Sequence, residues 1–120
     1  MKSALTIGQQ TELLACQFLQ RHKLKLIIKN YHCRRGEIDL IMQDQNTLVF
    51  IEVRYRKNDR FGSALESVNH KKQAKIIITA EHYLLQNKQS FSNYRFDVIA
   101  ISPTQQSDEI IWVKDAFHSN

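Results

Sequence analysis

The sequence predicts a single α/β domain over residues 1–120, a mixed β-sheet flanked by helices in the order α-β-β-β-α-β-β. Three observations carry that expectation. Two segments repeat apolar residues at helical spacing, several short segments rich in Ile, Val, Leu and Phe read as strands, and the second helical segment interrupts the strand runs. A chain of 120 residues is also long enough to bury one modest core without staples.

The first helix is expected over 6–22. Thr6-Ile7-Gly8-Gln9 has the spacing of a capping box, and Leu14, Ala15, Phe18 and Leu19 recur on one face. Glu12 falls on its second turn. LKLIIK (24–29) alternates lysine with aliphatics and reads as a strand. Two more strands, 37–42 and 47–56, flank the polar cluster Gln43-Asp44-Gln45-Asn46. KNDRFGSALE then forms a polar loop, with Gly62 free to adopt an unusual backbone angle. The second helix runs from Asn69 to Gln86 on an apolar stripe of Ala74, Ile77, Ile78, Leu84 and Leu85. Lys71, Lys72 and Lys75 crowd its first turns, where the helix dipole favours anions; a nearby phosphate or plain solvent offsets that cost. YRFDVIAI (94–101) ends in a continuous apolar run and reads as a central strand covered on both faces; IIWV (110–113) is a shorter last strand. Asp97 reads as a structural acid paired with a neighbouring cation, and Trp112 as core. There is no internal repeat, low-complexity tract or linker.

The composition, 42% hydrophobic and 24% charged, is that of an ordinary soluble globular protein. No apolar run approaches the roughly 20 residues that span a bilayer, and MKSALTIGQQ lacks the apolar stretch of a secretory signal. With Cys16 and Cys33 outside any CxxC pair, reduced thiols in a cytoplasmic protein are expected. Net charge is +5 and uneven: residues 21–75 hold 13 Lys/Arg against 6 Asp/Glu. A basic middle fits either a phosphate-binding footprint or a solubilising surface.

The strands after the first carry acids among their apolar residues. Leu48, Phe50, Glu52, Arg54 and Arg56 share one face of their strand, and Glu37, Asp39 and Ile41 one face of the preceding strand. With a two-residue turn at Gln45-Asn46, Asp39 faces Glu52 and Glu37 faces Arg54; a three-residue turn would send the acids to opposite faces. In the first register two carboxylates lie about 5 Å apart, repel, and resist ionisation. A divalent cation removes both problems, and oxygen ligands suit Mg²⁺ or Mn²⁺. Neutralisation of the acids by Arg34, Arg35, Arg54 and Arg56 is the competing explanation. A cation held by Asp39 and Glu52 would polarise a phosphodiester, and Arg54 would stabilise the growing negative charge.

The set Gly8-x-x-x-Glu12, GEIDLI (36–41), VFIEVRYR (49–56), the lysine-rich helix, RFDVIAI (95–101) and VKDAF (113–117) resembles the YraN family. These are small bacterial proteins similar to Holliday-junction resolvases and to the wider PD-(D/E)XK nucleases. The resemblance spans nearly the whole chain and implies a restriction-endonuclease-like core. It implies a Mg²⁺- or Mn²⁺-dependent phosphodiesterase acting on branched or otherwise structured DNA; a two-fold dimer would suit such a substrate, since symmetric oligomers are common. Asp39 and Glu52 match the motif acids, Glu12 an additional helix acid, and the Val53 carbonyl a further metal ligand. Arg54 stands where the superfamily has lysine. Arg keeps its proton, so it orients water and stabilises charge without acting as a general base. Gln73, Lys71 and Lys72 match polar positions on the helix beside the site, and with Arg34, Arg35 and Arg56 they make up the expected nucleic-acid-binding set. A DNA-binding module that keeps the fold without cutting is the alternative, supported by Arg54; a protein-interaction domain is a third.

His22, His32, His70, His82 and His118 show no zinc-ligand spacing, although His70 is expected near the site. Tyr31, Tyr55 and Phe61 are placed either to stack on exposed bases or, with the larger weight, to pack in the core. No glycine-rich phosphate loop occurs.

Overall fold

The computed structural model describes residues 4–57, 65–87, 91–103 and 107–118. Phe61 and Gly62, and most of the expected polar loop, lie outside them. The elements are α1 (Ile7–Arg21), β1 (Lys25–Cys33), β2 (Gly36–Asp44), β3 (Thr47–Tyr55), α2 (His70–Gln86), β4 (Asn93–Pro103) and β5 (Asp108–Phe117). This is the α-β-β-β-α-β-β order expected from the sequence. The sheet runs β1-β2-β3-β4-β5. Its first three strands are antiparallel, β3 and β4 are parallel, and β5 returns antiparallel to β4. The parallel pair is possible because α2 lies between β3 and β4 in the chain; parallel neighbours need a crossover.

Each helix covers one face. Along β3, Leu48 and Phe50 join the core under α2 with Ile76, Ala80 and Tyr83, while Val49 and Ile51 join the core under α1 with Ala15, Cys16 and Leu19. β4 divides the same way, Phe96 and Val98 on one side and Ile99 and Ile101 on the other. It is thus a central strand buried on both faces.

Local chemistry sets the helix ends. Thr6 caps α1 through the anticipated box: Gln9 N–H donates to Thr6 Oγ1 at 3.1 Å, and Thr6 N–H to Gln9 Oε1 at 3.0 Å. Asn69 caps α2 by accepting from Lys72 N–H at 2.9 Å. The expected stripe of α2 is rotated. Its buried residues are Ile76, Thr79, Ala80 and Tyr83, whereas Ala74, Ile78 and Leu85 are exposed. The Thr79 hydroxyl donates to the Lys75 carbonyl at 2.7 Å, which allows a polar residue to sit fully buried in that row.

β1 and β5 outrun the segments expected for them, each by pairing along most of its neighbour. β1 continues through Tyr31 and His32 opposite Ile38 and Glu37. Tyr31 packs edge-on against Tyr83, ring centroids 5.1 Å apart, so its role is packing. β5 closes on Phe117, stacked on Phe96. Where its register shifts, Asp115 adopts φ 53 and its N–H donates to buried Asp97 at 2.9 Å. Arg95 Nε and Trp112 Nε1 also donate to Asp97, at 3.0 and 2.9 Å. Asp97 is therefore the structural acid expected. Trp112 is half-buried, a lid on the α1-side core.

The β1–β2 turn leans directly on α2. Gly36 has φ 157, and a Cβ there would meet Thr79 Oγ1 at 2.9 Å. Gly36→Ala is expected to destabilise the fold by about 1–3 kcal/mol in urea unfolding. Adding Thr79→Ala should recover part of the loss, because the clash goes and the backbone strain stays. An unchanged unfolding midpoint in Gly36→Ala would contradict this close approach.

Candidate metal and phosphate site

The β2–β3 turn has two residues: Asp44 pairs with Thr47, and Gln45 takes φ 55. The condition for facing acids is thus met. Pairing runs from the turn to Leu40 opposite Ile51 and stops there, one step short of Asp39 and Glu52. In place of a main-chain partner, the Val53 N–H donates to Asp39 Oδ2 at 2.8 Å. A side-chain carboxylate has taken over from a backbone carbonyl, at the point where the ladder ends. In an extended residue N–H and C=O point to the same side, so the Val53 carbonyl faces β2 as well.

Strict alternation does not survive through Asp39. Ile38 and Ile41, three positions apart, both join the α2-side core. The break falls where Asn30 of β1, with φ 54, lies across from Asp39. The row Glu37-Asp39-Ile41 expected on one face is therefore not a straight row. Asp39 lies between the two helix-bearing faces, within electrostatic reach of Glu12 on α1 and of Lys72 on α2.

Glu52 is nearly fully buried. Lys72 Nζ lies 3.4 Å and Arg54 Nη1 3.8 Å from the same oxygen, Oε1. Burial raises the Glu52 carboxyl to about 7, Asp39 adds to the rise, and Lys72 and Arg54 oppose it. Asp39 is raised too, first by burial; the Val53 N–H and Lys72 pull it back. Glu12 is raised by burial and then by Asp39 and Glu37, while a hydrogen bond from the Asn30 side chain and the charge of Lys29 work the other way. Among the described residues, no three His, Cys, Asp or Glu side chains are already gathered as a metal-holding group. The acids instead form a chain, Glu12 to Asp39 to Glu52, with Asp39 as the shared neighbour.

The Glu52 shift sets an expected pH response. Its carboxyl titrates near 4.5 when unfolded and about 7 when folded, so the folded state holds the extra proton between those values. Stability therefore falls as pH rises through that window and levels off above it, by on the order of 3 kcal/mol from this group. Glu52→Gln should be more stable than the parent at pH 8 and equal to it near pH 5, read by urea unfolding at both values. A variant less stable at pH 8 would show that the cations more than compensate the buried charge.

The remaining expected residues separate. Lys72 is the helix lysine that reaches the acids; Lys71 is exposed beside it. Gln73 spends its amide on the Val68 carbonyl at 2.9 Å, a staple at the entry to α2. His70 lines a different cavity, with Glu66, Gln73 and Ala116. Arg34 and Arg35 are exposed on the β1–β2 turn, Arg56 is half-buried, and Tyr55 is 43% exposed between Arg54 and Arg56. Both cysteines are free thiols. No helix among the described residues is long and apolar enough to cross a membrane.

A family model described as "Uncharacterised protein family UPF0102" matches residues 11–101. The chain is 51% identical over 115 residues to a UPF0102 protein of Nitrosococcus oceani, covering 92% of this chain and 90% of the relative. It is 48% identical over 117 residues to one of Nitrosomonas europaea, with 98% of each chain covered. A UPF0102 protein of Psychromonas ingrahamii is 52% identical over 110 residues, covering 92% of this chain and 88% of the relative. A family match across most of the chain and relatives about half identical along it lead to one conclusion: the chain belongs to UPF0102, the YraN family that its motifs resemble.

Proposed function

We propose that this chain is a divalent-metal-dependent phosphodiesterase acting on structured DNA, with Asp39 and Glu52 as the principal cation ligands. One observation carries the reading: Asp39 and Glu52 lie just past the end of the β2–β3 ladder and within electrostatic reach of each other, with Lys72 and Arg54 converging on one oxygen of Glu52. The donors fit a hard cation, being carboxylates whose mutual repulsion and burial favour a bound charge. Glu12 would join from α1 and the Val53 carbonyl from β3. A bound Mg²⁺ or Mn²⁺ supplies Lewis-acid polarisation of the phosphodiester and of a water.

The chain's own cations do the rest. Lys72 and Arg54 offset the negative charge that grows on the phosphate during hydrolysis. Arg54 keeps its proton and so orients and stabilises without accepting one. Arg34, Arg35, Arg56 and Lys71 contact phosphates further along the strand, and Tyr55 offers a ring to an exposed base. The free thiols fit a cytoplasmic setting, and a two-fold dimer would suit a branched substrate.

Arg54 also favours a second reading, a module of the same fold that binds DNA without cutting. Purified protein incubated with labelled junctions, flaps and duplexes, with Mn²⁺, Mg²⁺ or chelator, separates the two. Metal-dependent cleavage is the expected result. Binding that weakens steeply with salt and yields no cut with either metal would favour the module. No binding at all would overturn both.

A further inference from the structure

We propose that β5 is a dimerisation edge, pairing antiparallel with β5 of a second copy of this chain about a two-fold axis at Ile111. Such a dimer stands apart from the acid site and forms whether or not the chain cuts DNA. Backbone direction, exposure and charge along one strand support it.

Among the described residues β5 pairs with β4 alone, so its other side is an open edge. The Arg56 N–H donates to the Ile101 carbonyl at 2.9 Å, so Ile101 turns its main chain towards β3, and its neighbours Ala100 and Ser102 turn theirs towards β5. Their partners Ile111 and Glu109 are thereby satisfied. By alternation the N–H and C=O groups of Asp108, Ile110, Trp112 and Lys114 point outward, a template for another strand. The side chains select one register. Centred on Ile111, Lys114 of each copy faces Asp108 of the other, Trp112 faces Ile110, and the two Ile111 side chains, 39% exposed, meet. Asp108 and Lys114 are both exposed, and Lys114 Nζ lies 4.4 Å from the centre of the Trp112 ring, on the α1 side of the sheet. Sliding the register by two residues in either direction loses both charge pairs. β5 stays regular from Asp108 to Val113, and Asp115, with φ 53, closes that window. β1, the opposite edge, is guarded by exposed Lys25 and Lys29 and by breaks between Leu26 and Ile28 and at Asn30. In the joined sheet β4 and β5 of each copy lie between the two acid sites, which sets them roughly 24 Å apart across the strands.

Analytical ultracentrifugation of the full chain, without DNA or metal, should show a reversible monomer–dimer equilibrium between micromolar and near-millimolar concentration. Lys114→Asp sets like charges opposite each other twice and should weaken the dimer at least about 10-fold. Adding Asp108→Lys restores opposite charges, and this double variant should dimerise like the parent. Ile111→Cys in a Cys33→Ser background should give an interchain disulfide on oxidation, because Cβ atoms of a directly opposed pair lie within bridging distance. Glu109→Cys in the same background should not, since its counterpart lies too far along the strand. A chain that stays monomeric throughout, a dimer indifferent to Lys114→Asp, a double variant no better than the single one, or equal cross-linking by the two cysteine variants would overturn the proposal. Growth beyond dimers would do the same, since it requires head-to-tail pairing of β5 with another edge. Failure to bind or cut DNA would overturn the proposed function and leave the dimer standing.

Discussion

Asp39→Asn is expected to lower metal-dependent DNA cleavage at least about 100-fold, the upper end of what loss of even an outer partner of a metal ligand costs. Asparagine is chosen because its amide oxygen still accepts from the Val53 N–H, now at 2.8 Å from the carboxylate. The strand end is thereby preserved and only the charge is lost. Asp39→Ala would also strand that N–H, costing about 1–3 kcal/mol, and would confuse folding with chemistry. Gel assays with Mn²⁺ on a labelled junction read the effect, and thermal unfolding confirms that Asp39→Asn remains folded. Cleavage that persists unchanged would remove Asp39 from the site.

The second large effect concerns an acid with the opposite role. Asp97→Ala is expected to destabilise the protein by about 3–5 kcal/mol, because it deletes the fully buried acceptor on which Arg95, Trp112 and the Asp115 N–H converge. Arg95 would keep Asp44, 3.1 Å away, but the Trp112 and Asp115 N–H groups would lose their acceptor. Asp97→Asn should recover only part, since its NH₂ group faces donors. Urea unfolding measures both variants, and a loss below about 1 kcal/mol in Asp97→Ala would contradict the network's importance. Set beside Glu52→Gln, the contrast is diagnostic. Removing the Asp97 carboxylate is expected to weaken the fold, and neutralising Glu52 to strengthen it above pH 7. A buried acid that the fold would be more stable without is a mark of a functional position.

Much of this was legible in the sequence because short-range chemistry fixes it. Thr6 and Gln9 announce the start of α1, and the polar cluster before Thr47 permits the two-residue turn that sets the β2–β3 register. That register carries Asp39 and Glu52 towards each other, but the ladder itself ends one pair earlier, at Leu40 and Ile51. What was not legible depends on tertiary contacts. Ile76, Ile77 and Ile78 leave the buried side of α2 ambiguous, and only packing against Phe50 and Phe96 selects the row of Ile76, Ala80 and Tyr83. Lys71 and Lys72 are equivalent in sequence; a 100° step around the helix gives Glu52 to Lys72. Only the fold shows that the Gln73 amide also donates to the Val68 carbonyl. No local motif marked Asn30 for the left-handed backbone it adopts inside β1. The lengths of β1 and β5 were likewise set by their partners.

Titration calorimetry with Mn²⁺ near neutral pH, on the parent chain and on Asp39→Asn and Glu52→Gln, tests the core of this account. Saturable binding by the parent, lost or severely weakened in each variant while both remain folded, is the predicted result. A parent chain that takes up no Mn²⁺, or variants that bind it as the parent does, would mean that these two carboxylates do not form a cation site.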